Sequence, residues 1–381
     1  MRFLLIASYP DSIIRFRGPL IDAITQKSLQ VHIAVPDIKN NDSLKNELIS
    51  KGIIIHNIPL RRTGMNPLTD MITIFHLFKL IHRIKPKYVL GYTIKPVIYG
   101  SLAAWLAKVP YRFALITGLG YAFHGDGNSK KREFIHQLVQ RLYGMALTTT
   151  HKVIFQNSDD QALFKKLNIL KSKTPSFVVN GSGVNISEYK VVPLPEQPRF
   201  LLIARLLGDK GVREYAQAAK QIKNTYPEVN FDLVGWIDEN PDAIKQQELD
   251  TWIQEGTLNY LGKLADVRPA ISNCSVYVLP SYREGTPRTV LEAMSMGRAI
   301  ITTDAPGCRE TVVDNDNGFL VPVKSVEALV VAMKKLIDDP DLIEKMGQRS
   351  RAIAEEKYDV HKVNDSMLKA MGISESTNIH T

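Results

Sequence analysis

Cysteine is scarce in this chain: only Cys274 and Cys308 occur in 381 residues. Two cysteines build no disulfide framework, so a small stapled secreted fold is excluded. The pair is expected as buried apolar packing in a reducing cytoplasm. Long hydrophobic runs are missing as well. No apolar stretch approaches the roughly 20 residues a membrane-spanning helix needs. The apolar start, Phe3 to Ala7, is too short for a signal-peptide core and is expected to be a first strand. The chain has no low-complexity tract, no repeat beyond two similar halves and no nucleic-acid-binding motif. Residues 181–185, Gly-Ser-Gly-Val-Asn, lack the spacing and the strand-to-helix setting of a dinucleotide fingerprint.

What is present is a globular composition, 44% hydrophobic and 23% charged, in a length that suits two domains. Acid is unevenly spread under the net charge of +9: residues 1–180 hold 25 Lys and Arg against 10 Asp and Glu, and residues 181–381 hold 23 against 29. The N-terminal half is therefore expected to face something anionic. With no nucleic-acid motif present, an anionic membrane surface is favoured over nucleic acid or an acidic polymer. A merely solvated basic surface is the other reading.

Short apolar runs alternate with segments of helical spacing throughout, which predicts βαβ units and parallel sheets. In the first half the strands are RFLLIAS, VHIAVP, GIIIHNIP, KYVLGYT, YRFALIT and KVIFQNS. One of the helices between them carries Leu68, Ile72, Phe75 and Leu80 and ends at Pro86. A proline-rich stretch with Pro193, Pro195 and Pro198 is expected as a linker over 184–198. It separates a domain over 1–183 from a second alternating series over 199–354. Residues 355–381 are expected to supply a final helix and a frayed tail.

Two patches carry chemistry. In the first, Glu284 and Glu292 lie eight residues apart, one in a turn and the other about two turns into the helix that follows. Gly285, Thr286 and Pro287 open that helix, so the N–H groups of Arg288, Thr289 and Val290 are expected to point at an anion, with phosphate the usual guest. A carboxylate beside a phosphate site suits sugar hydroxyls. In the second patch, Arg205 and Lys210 sit five residues apart just after a strand. Arg can clamp two phosphate oxygens and Lys adds a point charge, so both can stabilise a departing diphosphate.

Glu284-x7-Glu292 within PSYREGTPRTVLEAMSMGRAIITTD, together with LLIARLLGDKGVREYAQA upstream, resembles the signature of the family 4 retaining glycosyltransferases. The likeness is strongest over 199–325. The segments IRFRGPLIDAI, KVPYRFALITGLGYAF and SYREGTPRTVLEA are similar to the bacterial enzymes that add a second sugar to undecaprenyl-diphosphate-linked monosaccharides, α-1,3-N-acetylgalactosaminyltransferases among them. The resemblance implies the GT-B architecture: an α/β fold of two Rossmann-like domains facing across a cleft, with an N-terminal acceptor domain and a C-terminal nucleotide-sugar domain. It also implies that the final helix crosses back to the first domain.

For the residues, the resemblance implies that Arg205 and Lys210 hold the donor diphosphate, Glu292 takes the ribose diol and Glu284 faces the donor sugar. Backbone around Gly235 and Leu264 would line the base pocket, ordinary turn residues being the alternative. It implies same-face attack, in which the leaving phosphate takes the acceptor proton, with no cofactor and no metal. Asp314-Asn-Asp316 matches the metal-binding Asp-x-Asp of other glycosyltransferases but falls in a turn, with the diphosphate already served.

On the acceptor side the family often has a Gly-rich loop after the first strand, and here only Gly18 is present. Relatives place a histidine near Thr117, Gly118 and Gly120. None is there, and His124 a few residues on is the substitute or an ordinary loop residue. The same loop holds Tyr121 and Phe123, then Lys130, Lys131 and Arg132, with Arg61, Arg62 and Lys95 as possible extensions. Aromatic residues beside cations suit a membrane interface and a pyrophosphate-linked lipid, while singly each reads as solvated surface.

The expected function is transfer of a sugar, by resemblance an N-acetylhexosamine, from a UDP-sugar to a polyprenyl-diphosphate-linked saccharide. The enzyme would be peripheral at the inner face of the cell membrane and would feed O-antigen, capsule or glycoprotein synthesis. A nucleotide-sugar epimerase of the same architecture and a catalytically silent GT-B scaffold are the alternatives.

Overall fold

A computed structural model describes residues 1–61, 66–119, 130–238 and 240–373, apart from the side chains of Asn40, Lys130, Lys131, Arg132 and Phe134. It divides into two compact units, 1–182 with the chain end from Val363, and Gly183–Lys362.

In the first unit, among the described residues, seven parallel strands run in the order β3-β2-β1-β4-β5-β6-β7. They are β1 (Arg2–Ile6), β2 (Gln30–Val35), β3 (Ile54–Asn57), β4 (Tyr88–Tyr92), β5 (Tyr111–Ile116), β6 (Lys152–Phe155) and β7 (Ser176–Val178). Parallel strands covered on both faces read as continuous apolar runs, and β1 shows how one run serves two cores. Leu4 and Ile6 point to the helices Pro67–Ile84, Ile94–Leu106 and Lys130–Thr148. Phe3 and Leu5 point the other way, to Ser12–Gln26, Asp42–Ser50 and the chain end at Met367, Leu368 and Met371.

The helix Pro67–Ile84 forms as its signals predict. Asn66 Oδ1 accepts from Leu68 N–H at 3.1 Å, Pro67 opens the first turn, and Lys85 in the left-handed region precedes Pro86. Of the apolar residues that mark its spacing, only Leu80 is buried. Thr73, Leu77, Leu80, Ile81 and Ile84 face inward, while Leu68, Ile72 and Phe75 face solvent. The helix carries two apolar stripes, and periodicity alone does not say which one meets a sheet.

The second unit has six parallel strands among the described residues, in the order β10-β9-β8-β11-β12-β13. They are β8 (Arg199–Ile203), β9 (Asn230–Val234), β10 (Asn259–Gly262), β11 (Val276–Leu279), β12 (Ala299–Thr303) and β13 (Gly318–Val321). The stretch 184–198 belongs to this unit, with Ile186, Tyr189, Val192 and Leu194 packed against its cores. The last helix, Val360–Ala370, contains the division between the units at Lys362 and Val363.

In each sheet the strand order reverses between two neighbours, β1/β4 and β8/β11. The crevice beyond the carboxyl ends at such a point is where doubly wound sheets bind ligands.

Candidate active site

The switch point of the second unit brings the two motif patches together. After β8 the chain passes Arg205 into a short turn, Gly208–Lys210; after β11 it passes Pro280 to Pro287 and enters the helix Arg288–Ser295. The two loops are joined through backbone: Tyr282 N–H donates to the Asp209 carbonyl at 2.9 Å, and Ser281 Oγ donates to the same oxygen at 3.2 Å. Gly211 permits that approach, since its φ is +71° and a Cβ there would lie 2.2 Å from the Pro280 carbonyl oxygen. Glu284 is held from its other side, where its N–H donates to the Pro306 carbonyl at 2.9 Å. A Cβ on Gly307, at φ +80°, would meet the Glu284 carbonyl oxygen at 2.1 Å.

Lys210 Nζ lies 2.6 Å from Glu284 Oε1, and the two side chains are 15% and 19% exposed. Burial pulls the Lys210 pKa down. The charges of Glu284 and Asp209 outweigh it and leave the ammonium above the ordinary lysine value. Arg205 Nη1 pairs with Asp238 Oδ2 at 2.9 Å.

Glu292 is the fifth residue of its helix, one turn in rather than two, because helical geometry starts only at Arg288. It is 3% exposed. Its Oε1 accepts from Arg288 Nε at 2.9 Å and from the Tyr189 hydroxyl at 3.0 Å. Burial, then the Glu292 charge, raise the Tyr189 phenol pKa and keep it a donor. The other carboxylate oxygen, Oε2, is buried with no hydrogen-bond partner. Leaving a buried acceptor unmatched costs about 1–3 kcal/mol, so this oxygen is poised for a hydroxyl donor. In the first turn, Thr289 Oγ1 is 2.7 Å from the Tyr277 hydroxyl, and Val290 N–H donates to the Pro287 carbonyl at 3.1 Å.

At the neighbouring strand ends, Gly235 N–H donates to the Gly262 carbonyl at 2.9 Å, Leu264 is half-buried against the core, and Lys263 Nζ lies 4.9 Å from the centre of the Trp236 ring. The Asp-x-Asp residues are engaged inside the chain. Asp314 Oδ1 accepts from Leu320 N–H at 2.9 Å, and Asp316 pairs with Arg349. Among the described residues no cluster of three or more His, Cys, Asp or Glu could hold a metal ion. Burial pushes the thiols of Cys274 and Cys308 up to about 12, so neither is a thiolate nucleophile near neutral pH.

In the first unit, Thr117 and Gly118 follow the carboxyl end of β5. Gly120, Tyr121, Phe123 and His124 lie outside the described residues, as does Arg62. Lys130, Lys131 and Arg132 open the helix Lys130–Thr148, with side chains outside the description. Lys95 does not extend a basic patch: it is 11% exposed and paired with Asp70 at 3.2 Å. The β1/β4 switch point holds polar residues that the sequence did not single out. Ser8 Oγ is 2.8 Å from Thr93 Oγ1, and Ser12 Oγ is 2.8 Å from the Tyr92 hydroxyl. Thr93 itself has φ +67°, a conformation costing about 1–3 kcal/mol and typical of functional sites.

Comparison with known proteins shows the family. The family described as glycosyl transferases group 1 matches residues 187–353, and that described as glycosyl transferase 4-like matches residues 8–157. The chain is 30% identical to the N,N'-diacetylbacillosaminyl-diphospho-undecaprenol α-1,3-N-acetylgalactosaminyltransferase of Campylobacter jejuni, over 90% of this chain and 91% of that protein. This chain is a glycosyltransferase.

Two further relatives are 26% identical. One is the Staphylococcus aureus capsular polysaccharide biosynthesis glycosyltransferase CapM, covering 93% of this chain and 92% of the relative. The other is the Escherichia coli UDP-Gal:α-D-GlcNAc-diphosphoundecaprenol α-1,3-galactosyltransferase, covering 84% and 86%. Among solved structures, sucrose-phosphate synthase from Thermosynechococcus elongatus superposes with a TM-score of 0.79 at 18% identity, covering 97% of this chain and 98% of that one. Anabaena HepE in complex with UDP gives 0.75 at 19%, covering 98% and 100%. The glycosyltransferase thus has the GT-B fold. Among the described residues no helix is long and apolar enough to cross a membrane.

Two partners of the motif residues escaped the sequence reading. Tyr189 reaches Glu292 from 103 positions away, out of the stretch read as a linker. Asp238 meets Arg205 from the next strand's loop. Neither has a local signature: Asp238 follows β9, beside β8 in the sheet, and Tyr189 packs in from the stretch before β8.

Proposed function

We propose that this glycosyltransferase moves a sugar, an N-acetylhexosamine, from its UDP derivative to a polyprenyl-diphosphate-linked saccharide, with retention at the anomeric carbon and no metal ion. It would work as a peripheral enzyme on the anionic inner face of the cytoplasmic membrane, in surface polysaccharide or glycan assembly. The Campylobacter and Escherichia relatives are named for diphospho-undecaprenol acceptors, and HepE was solved with UDP. Those names support the acceptor and donor classes.

The observation that carries the reading is Glu292. It is a buried carboxylate with one oxygen anchored by Arg288 and Tyr189 and the other unmatched, near the Lys210–Glu284 pair. In this reading Oε2 accepts from the ribose diol, backbone near Gly235 and Leu264 lines the base, and Arg205 and Lys210 hold the diphosphate. Lys210 exchanges Glu284 for phosphate as the donor binds, and Glu284 is then left facing the sugar. The bond from C1 to the β-phosphate oxygen breaks and the acceptor oxygen bonds C1 from the same face. The acceptor proton passes to the departing phosphate, and UDP leaves with its charge matched. Thr117, Gly118, Gly120, Tyr121, His124, Lys130, Lys131 and Arg132 take the acceptor side.

The test is purified protein with a panel of UDP-sugars, with and without a polyprenyl-diphosphate-linked saccharide, in the presence of a chelator. UDP release that depends on acceptor and on one donor, with the anomeric configuration kept by NMR, is expected. An epimer formed without acceptor would overturn the reading in favour of an epimerase. Unchanged biological function after Arg205→Ala would favour a scaffold.

A further inference from the structure

The helix Pro67–Ile84 shows an apolar face to the sheet and a second one to solvent. On the second face Leu68, Met71, Ile72 and Phe75 recur at helical spacing and are 75%, 68%, 49% and 54% exposed. A contiguous apolar row of this kind marks an interaction surface more often than isolated exposed residues do. Farther along the same face the row becomes cationic. Lys79 lies with its Nζ 4.4 Å from the centre of the Phe75 ring, and exposed His82 and Arg83 follow. Acid is nearly missing from the surrounding sequence. Residues 48–125 contain ten Lys and Arg and a single acid, Asp70, which is 14% exposed and paired with Lys95.

Position adds to pattern. The helix is the crossover that returns the chain from β3 to the parallel strand β4, so it starts at the carboxyl edge of the sheet. Its apolar turns therefore sit toward the edge where Thr117 and Gly118 follow β5.

We propose that Leu68, Met71, Ile72 and Phe75 insert at the surface of an anionic phospholipid bilayer, with Lys79 and Arg83 against the headgroups. This rests on the reading above that the acceptor is carried by a membrane lipid, and it supplies the element that docks there. Apolar residues flanked by cations, with the one acid between them turned to Lys95, match the acyl boundary and the negative headgroups together. A second copy of the same face would bring no exposed acid to Lys79 and Arg83, whereas anionic headgroups match them, so charge complementarity selects the bilayer over self-association.

The experiment is flotation of the full chain with vesicles of phosphatidylglycerol and phosphatidylcholine, compared with phosphatidylcholine alone. Wild type should bind the anionic vesicles, and salt should weaken binding. Ile72→Ser with Phe75→Ser should weaken binding by about tenfold or more. Lys79→Gln with Arg83→Gln should weaken it by about tenfold on anionic vesicles and leave neutral ones unaffected. All four side chains are exposed, so urea melts, UDP affinity and transfer to a detergent-dispersed short-chain acceptor should stay at wild-type values. Wild-type vesicle binding by both variants overturns the proposal. So does a wild-type dimer, seen by sedimentation velocity, that the serine variant dissociates without change in vesicle binding, because a second copy then covers the face. Helix-dependent vesicle binding without transfer to any polyprenyl-diphosphate acceptor leaves the docking element standing and removes the acceptor reading.

Discussion

Replacing Glu284 with glutamine should separate donor binding from turnover. Lys210 Nζ sits 2.6 Å from Glu284 Oε1, a gross attraction of about 6 kcal/mol at an effective dielectric of about 20. Most of that offsets the desolvation of two largely buried groups. If Lys210 must leave this carboxylate to meet the diphosphate, every donor molecule binds against the pair. Glutamine keeps the shape and removes the charge. UDP should then bind tighter by about 1–2 kcal/mol, or roughly 5- to 30-fold, while kcat falls about 100-fold or more because charge is lost beside the reacting sugar. With the larger raising charge gone, burial is opposed chiefly by Asp209 and the Lys210 pKa falls, so UDP binding by the variant should weaken with rising pH earlier than in wild type. Calorimetry with UDP at fixed salt, run beside initial rates, reads both effects. Lys210→Ala is the control and should weaken UDP binding by about tenfold or more. Weaker UDP binding by Glu284→Gln, or an unchanged kcat, would refute the assigned roles.

Tyr189→Phe removes a donor to buried Glu292. The donor KM should rise about tenfold with kcat nearly unchanged, and equal loss in both would mean that the hydroxyl acts in the transition state. Gly211→Ala forces a Cβ to within 2.2 Å of the Pro280 carbonyl at φ +71°. The left-handed conformation costs about 1–2 kcal/mol before any clash, so a lower urea midpoint and weaker UDP binding are expected; wild-type affinity would show that the loops need not be this close. His32 Nδ1 and His56 Nε2 lie 2.9 Å apart, and burial, then the charges of His32 and Arg83, lower His56 to about 4. Both rings are held neutral when folded and protonate near 6.5 when unfolded. Their stability contribution is therefore present above pH 6.5 and lost as pH falls, for His56 through about 4. The urea midpoint should drop across that window, less so in His56→Gln, and NMR should place the His56 titration near 4.

The central strands were legible because a strand buried on both faces needs an unbroken apolar run, and RFLLI occurs at the start of each sheet; β7, a short half-exposed edge strand, has no such run and was missed. The two motif patches were legible because loops after strands must carry chemistry in sheets of this kind. What local pattern does not hold is choice among equals. The helix Pro67–Ile84 has two apolar stripes, and only the sheet's position decides that Leu77 and Ile81 go inside while Ile72 and Phe75 stay out. The start of the helix that carries Glu292 was placed too early, because Pro287 takes an extended conformation rather than the first helical position. Tyr189 and Asp238 were invisible because their partners lie far off in sequence.

That distance is also what makes the site rigid. Strand order sets β8 beside β11, so two loops 72 positions apart in sequence leave the sheet side by side. Hydrogen bonds from Tyr282 and Ser281 to one Asp209 carbonyl then fix their separation, and glycine at 211 and 307 removes the side chains that would hold them apart. The Lys210–Glu284 distance is thereby set by backbone rather than by two flexible side chains finding each other. If a diphosphate binds here as proposed, it meets cations already in place and replaces Glu284 as partner to Lys210 and Asp238 as partner to Arg205. Preorganisation of this kind lowers the reorganisation required when charge develops on the leaving group. It also predicts an asymmetry: substitutions that widen the loops, such as Gly211→Ala, should cost more in turnover than in folding stability.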